Sequence, residues 1–181
     1  MSVQRKPLAG LYLVGFMASG KTTIGRAFAR KIGWPFIDID TEIEALERCA
    51  ISQIFSERGE RYFREVETEV LRHRVAQIEA GAPAVVALGG GAFVQPTNRA
   101  LIETSGVSVW LDCPLDMVRK RLGEDSTRPL AANRNGLERL FAERRPSYAL
   151  ANHRIDVDTD DPSVSVERLL ALPIFQRAPK N

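Results

Sequence analysis

The run Gly15-Phe16-Met17-Ala18-Ser19-Gly20-Lys21-Thr22 satisfies the spacing G-x-x-x-x-G-K-[ST], and it constrains the chain on both sides of itself. Before it, Leu11-Tyr12-Leu13-Val14 is apolar throughout and reads as a short buried strand; after it, residues 23–30 open a helix. Strand, glycine-rich loop and helix aim consecutive backbone N–H groups at a polyphosphate, because the first amides of a helix have no intrahelical acceptor. Lys21 is placed to reach the β- and γ-phosphates and the Thr22 hydroxyl to coordinate Mg²⁺. Gly15, Met17, Ala18, Ser19, Gly20 and Thr23 complete the expected contacts of this loop. The chain is expected to bind a nucleoside triphosphate.

Apolar runs alternate with helical patterns along the rest of the chain. Residues 34–40 give a second strand ending in acid, 84–88 a third, 107–112 a fourth and 154–158 a fifth. Residues 41–80 read as helical, with Phe63, Val66, Val70, Leu71, Val75 and Ile78 recurring at steps of three and four. Further helices are expected over 97–105, 114–123, 136–150 and 163–171. Strands separated by helices imply right-handed crossovers, hence an α/β fold with a five-stranded parallel sheet and helices on both faces. At 181 residues one domain is expected.

A net charge of +2 gives no reason to invoke nucleic acid or an anionic membrane as a partner. No apolar run approaches membrane-spanning length and the N-terminus carries no signal-peptide pattern. Cys49 and Cys113 lack metal-ligand spacing and read as reduced packing residues of a cytoplasmic protein. A monomer is expected. The tail from Pro173 to Asn181 is polar and proline-bearing and is expected to fray.

In an open parallel sheet, ligands bind beyond the carboxyl ends of the strands. Asp38 and Asp40, two apart, share one face if the second strand is regular. One carboxylate then suits Mg²⁺ and the other suits proton acceptance from an attacking hydroxyl, although one of them could instead cap the helix starting near Thr41. Gly89-Gly90-Gly91 at the end of the third strand removes every side chain where backbone N–H groups could approach a ligand. No acid follows the apolar run at 84–88, which makes Asp38 the better metal candidate; Asp112 ends another apolar run and is a rival. The polar, aperiodic stretch 123–136 reads as a mobile lid.

Together these residues resemble the shikimate kinase family, and the match extends over nearly the whole chain. The phosphate loop, Phe36-Ile37-Asp38-Ile39-Asp40, Ile51-Ser52-Gln53-Ile54-Phe55 and Gly59-Glu60-Arg61-Tyr62-Phe63-Arg64 fit that family in order. So do Leu88-Gly89-Gly90-Gly91, Arg128-Pro129-Leu130 and Arg144-Arg145-Pro146-Ser147-Tyr148. The resemblance implies a nucleoside-monophosphate-kinase-like fold that transfers the ATP γ-phosphate to the 3-hydroxyl of shikimate, with Mg²⁺ as cofactor. It implies that Asp38 helps place Mg²⁺ and that Asp40 contacts the substrate hydroxyls and is the base. By the same resemblance Arg64 and Arg144 grip the substrate carboxylate, the glycine triplet contacts the ring hydroxyls, and Phe55 and Phe63 form an apolar wall. Arg128 closes on the phosphates from the lid and Arg121 stacks on adenine. The substrate-binding segment falls near residues 40–70.

Glu67, three residues after Arg64 on a helix, is placed to hold the guanidinium in its fork orientation. Four positions depart from the family pattern. Ala18 and Arg48 replace glycines, and Ala131 and Ser147 replace leucines. A methyl at position 18 costs about 1 kcal/mol or more if the loop needs a left-handed residue there. Gluconate kinase shares the loop but should not combine the two aspartates, the glycine triplet and Arg64. A non-catalytic ligand sensor of the same fold would bind without producing ADP.

Overall fold

The computed structural model of the chain describes residues 9–124 and 134–176. Five apolar runs form strands, and all their pairings are parallel: β1 Gly10–Val14, β2 Phe36–Asp38, β3 Ala84–Ala87, β4 Gly106–Asp112 and β5 His153–Asp156, in the order β2-β3-β1-β4-β5. β1 lies at the centre and every one of its residues is buried, which is why it reads as a continuous apolar run rather than an alternating one. The connections are helical: α1 Lys21–Ile32, α2 Ile39–Glu47, α3 Ile51–Glu79, α4 Pro96–Ser105, α5 Leu115–Glu124, α6 Arg134–Tyr148 and α7 Pro162–Leu170.

The period of two along β1 separates the two helical layers. Leu13 abuts α1, whose Gly25 leaves room for the Leu13 and Phe36 side chains. Tyr12 points the other way, and its hydroxyl meets that of Ser105 at the end of α4 at 2.5 Å. Burial pushes the Tyr12 phenol up to about 12, with the Ser105 bond acting against it, so it stays a neutral hydrogen-bonding group. α1 packs with α7, while α3 packs with α4. No helix among the described residues is long and apolar enough to cross a membrane.

The helical stretch expected over 41–80 consists of two helices, α2 and α3. α2 ends at Arg48, which adopts a left-handed φ of 56° in place of the glycine usual at a helix C-terminus. α3 then begins with its Ile51 N–H capped by the Glu44 carboxylate at 3.0 Å. α3 is itself interrupted at Gly59 (φ 80°, ψ 171°). Beyond Gly59 the buried face runs Phe63, Glu67, Leu71, Val75 and Ile78, so the stripe holds one carboxylate among apolar residues.

The tail expected to fray from Pro173 is described as far as residue 176. Within it Phe175 packs edge-on against Phe28 of α1 with ring centroids 5.2 Å apart. The expected lid stretch and its Arg128 fall largely outside the described residues, as do residues 177–181.

Candidate active site

The loop after β1 turns on a left-handed glycine. Gly20 has φ 97° and is the N-cap of α1, so no side chain caps that helix, and its first turn holds no acid. The opening amides are therefore available to a ligand that brings negative charge. Ala18 sits at φ 58° in the left-handed region, which decides the question of its methyl: the conformation is the unfavourable one for alanine. Its carbonyl accepts from Arg121 Nη1 of α5 at 3.0 Å. Lys21 Nζ donates to the carbonyls of Gly15 and Phe16 at 2.9 and 2.7 Å, folded over its own loop. A cavity of about 370 Å³ opens in front of these groups, lined among others by Met17, Ala18, Gly20, Lys21, Thr22, Thr23, Asp38, Asp40 and Arg121.

Asp38 and Asp40 do not share a strand face. The chain turns helical at the buried Ile39, so β2 stops at Asp38 and Asp40 lies in the first turn of α2. Asp38 combines the two uses open at that position: Oδ1 accepts from the Asp40 N–H at 3.1 Å and caps α2, while Oδ2 accepts from Thr22 Oγ1 at 2.7 Å. Thr22 and Asp38 thus present oxygens at one point of the cavity. Such a set suits Mg²⁺, which prefers oxygen and takes one or two protein ligands alongside water and phosphate.

A second cavity, of about 600 Å³, lies beyond the first and is lined by Asp40, Phe55, Phe63, Arg64, Glu67, Gly89, Gly90, Gly91 and Arg144, among others. Met17, Asp40 and Gly90 line both cavities. Its positive side is built on α3. Arg64 Nη1 donates to Glu67 at 2.7 Å and Nη2 to Glu60 at 3.1 Å, which fixes the guanidinium plane. Burial alone would lower the Arg64 pKa, but Glu67 and Glu60 outweigh it and raise it. For fully buried Glu67 the balance runs the other way: burial pushes the carboxyl up, and Arg64 only partly offsets that. Its Oε1 has no hydrogen-bond partner among the described residues.

The glycine triplet lies where charged side-chain tips crowd the backbone. A Cβ on Gly91 would lie 2.3 Å from Arg64 Nη2, and one on Gly89 would lie 2.6 Å from Asp40 Oδ1 and 2.7 Å from Glu67 Oε1. The three charged side chains therefore close over bare backbone. Tyr148, at the end of α6, donates its hydroxyl to the Gly90 carbonyl. Burial pushes this phenol up to about 12 against the pull of Arg144, so it too remains neutral and a donor. Phe55 and Phe63 stack with centroids 4.7 Å apart; Phe63 is also part of the core, whereas Phe55 is 38 % exposed.

The structure thus brings Lys21, Thr22, Asp38, Asp40 and Arg121 to one cavity, and Arg64, Arg144, the glycine triplet and both phenylalanines to its neighbour. Asp112 does not join them; it pairs with Arg145 and Arg154 at the end of β4. Sequence reasoning missed Thr159, Asp160 and Pro162, which line the nucleotide-sized cavity opposite the loop. Asp160 accepts from Arg121 Nε at 3.1 Å and from Lys120 at 2.9 Å. Their only signal was position, just past the carboxyl end of β5.

The shikimate kinase family profile matches residues 17–172. A shikimate kinase of Sulfurihydrogenibium sp. is 42 % identical over 164 residues, covering 90 % of this chain and 96 % of that protein. The chain belongs to the shikimate kinase family. Among solved structures, a shikimate kinase from Acinetobacter baumannii in complex with shikimate superposes with a TM-score of 0.83 at 35 % identity, covering 91 % of this chain and 92 % of that one. One from Bacteroides thetaiotaomicron gives 0.82 at 33 % identity, over 91 % and 97 %. As a family member the chain is a P-loop kinase, and the parallel sheet with its flanking helices is the family's architecture.

Proposed function

We propose that this chain transfers the γ-phosphate of ATP to the 3-hydroxyl of shikimate, giving shikimate 3-phosphate and ADP. The observation that carries this reading is the meeting of two cavities at Met17, Asp40 and Gly90. One is lined by the phosphate loop, the other by two arginines and bare glycine backbone.

The nucleotide lies along the loop with its phosphates on the uncapped start of α1. Lys21 leaves the carbonyls of Gly15 and Phe16 and takes the phosphate oxygens as better acceptors, since a charged partner replaces two neutral ones. Thr22 and Asp38 hold Mg²⁺, which when bound offsets negative charge on the phosphates. Arg121 and Pro162 flank the base, and Arg128, outside the described residues, is assigned to the transferring phosphate.

Arg64 and Arg144 receive the acceptor's carboxylate, Glu67 keeps the Arg64 fork oriented, and the 89–91 backbone receives its hydroxyls. Asp40 stands in the wall common to both cavities and takes the proton of the 3-hydroxyl as that oxygen attacks phosphorus. Cys49 and Cys113 are both unbridged, in keeping with a reducing cytoplasm.

The test is ADP release from Mg·ATP by the purified chain with shikimate, gluconate or no acceptor in parallel. Turnover dependent on shikimate and lost in Lys21→Ala is expected. Turnover with gluconate alone, or shikimate binding with no ADP formed, would overturn the reading.

A further inference from the structure

Arg144 sits directly before the last turn of α6, and that turn is not held by the helix alone. Pro146 lies inside it and has no N–H to give, so one helical bond is missing beside the residue that faces the cavity. The turn is instead tied to two strand ends. Arg145 forks the carboxylate of Asp112, the last residue of β4, at 2.7 and 3.0 Å. Tyr148 bonds the Gly90 carbonyl just beyond β3. Asp112 is only 7 % exposed and takes a further contact from Arg154 of β5 at 3.0 Å. Trp110 completes the anchor, with the guanidinium carbons of Arg145 and Arg154 at 4.9 and 5.2 Å from its ring centroid.

We propose that Asp112 and Arg145 are a positioning pair for Arg144, setting the rotation of the α6 C-terminus so that Arg144 faces the acceptor cavity. Consecutive residues on a helix point about 100° apart, so locking Arg145 onto the sheet fixes where its neighbour points. Arg144 then lies against the glycine triplet, with Nη1 3.3 Å from where a Gly90 Cβ would sit. The fork matters more than the charge. With Arg145 39 % exposed the attraction of the charges is partly screened, but a bidentate contact stacked on an indole restricts rotation. This inference rests on the reading of Arg144 as a grip on the acceptor's carboxylate.

Arg145→Gln tests it cleanly, because Asp112 keeps Arg154 and no buried carboxylate is orphaned. In the full chain the KM for shikimate is expected to rise roughly tenfold, as a small misplacement of a binding group can cost. The KM for ATP should stay within about twofold. Arg145→Lys should fall between, since an ammonium keeps the charge without the fork. The decisive measurement is the cycle with Arg144→Ala: once Arg144 is gone, Arg145→Gln should add nothing to the shikimate KM. Independent, multiplying effects would overturn the pairing, as would a lowered melting temperature with the shikimate KM unchanged. If Arg144→Ala alone leaves that KM unaltered, the reading of the site fails and the inference falls with it. Should Arg145→Gln not fold, Asp112→Asn enters the same cycle with the same expectation.

Discussion

The two cavities that meet at Asp40 are built in opposite ways. The nucleotide side is largely backbone: one loop of eight residues, a left-handed glycine and a helix start without a side-chain cap. The acceptor side is largely charge: Arg64, Glu67 and Arg144 from separate parts of two helices, closed over three glycines that contribute only main chain. Backbone recognition is local and tolerates changes around it, whereas a clamp assembled from distant side chains depends on every element that aims them. The difference predicts that substitutions on the acceptor side alter shikimate binding without touching ATP, whereas the shared wall alters the chemical step.

Asp40→Asn is the largest break in that division. As a base it should cost about 10²–10⁴ in kcat while ATP binding survives, read by steady-state kinetics and nucleotide titration. Near-normal turnover would remove Asp40 from the mechanism, and lost ATP binding would show that the cavities are not separable. Arg64→Ala comes next. Removing one charged partner from a buried contact costs about 2–5 kcal/mol, to be read as a raised shikimate KM with the ATP KM unchanged. An unaltered shikimate KM would place the carboxylate elsewhere.

Glu67→Gln sharpens the comparison by separating aim from stability. Burial raises the Glu67 carboxyl above its unfolded value, so its contribution to stability is full below the ordinary carboxylate pKa and is lost as pH rises through the folded one. The neutral amide does not titrate. The stability of the parent relative to the variant should therefore fall as pH rises, while the variant's shikimate KM increases. Thermal melts across pH settle the sign: a parent advantage that grows with pH would mean that the Arg64 pairing outweighs burial.

The same division explains what was legible in the sequence. β1, the loop and α1 are contiguous, so their strand, glycine and helix signals sit side by side and were readable to within a residue or two. Arg64 and Arg144 were reached through the family resemblance, since no local pattern brings α3 and α6 together. Asp40 was misplaced on a regular strand because the Asp38 side chain ends that strand, by capping α2. The break at Arg48 carried no glycine to announce it. Thr159, Asp160 and Pro162 reach the nucleotide cavity only because β5 closes the edge of the sheet, a matter of strand order that periodicity does not encode.

The smallest expected effect concerns the two left-handed residues, one in each kind of surrounding. Ala18 at φ 58° lies in the phosphate loop and Arg48 at φ 56° on the exposed end of α2, so their backbone strain is nearly matched. A left-handed non-glycine residue costs about 1–2 kcal/mol. Glycine removes that cost but loosens the unfolded chain by about 0.4–1 kcal/mol, which leaves each glycine variant stabilised by less than the strain itself. For a chain of this size each is expected to melt about 1–3 °C higher. Function should then separate them. Arg48→Gly lies outside both cavities and should leave the ATP KM unchanged, whereas Ala18→Gly frees the residue whose carbonyl receives Arg121 and should raise it slightly. Equal melting shifts with a nucleotide effect at position 18 alone would mean that the loop keeps its strained alanine for order rather than for stability. A lowered melting temperature in both would mean that the unfolded-state entropy outweighs the strain, and that the departures from glycine at these two positions stabilise the fold.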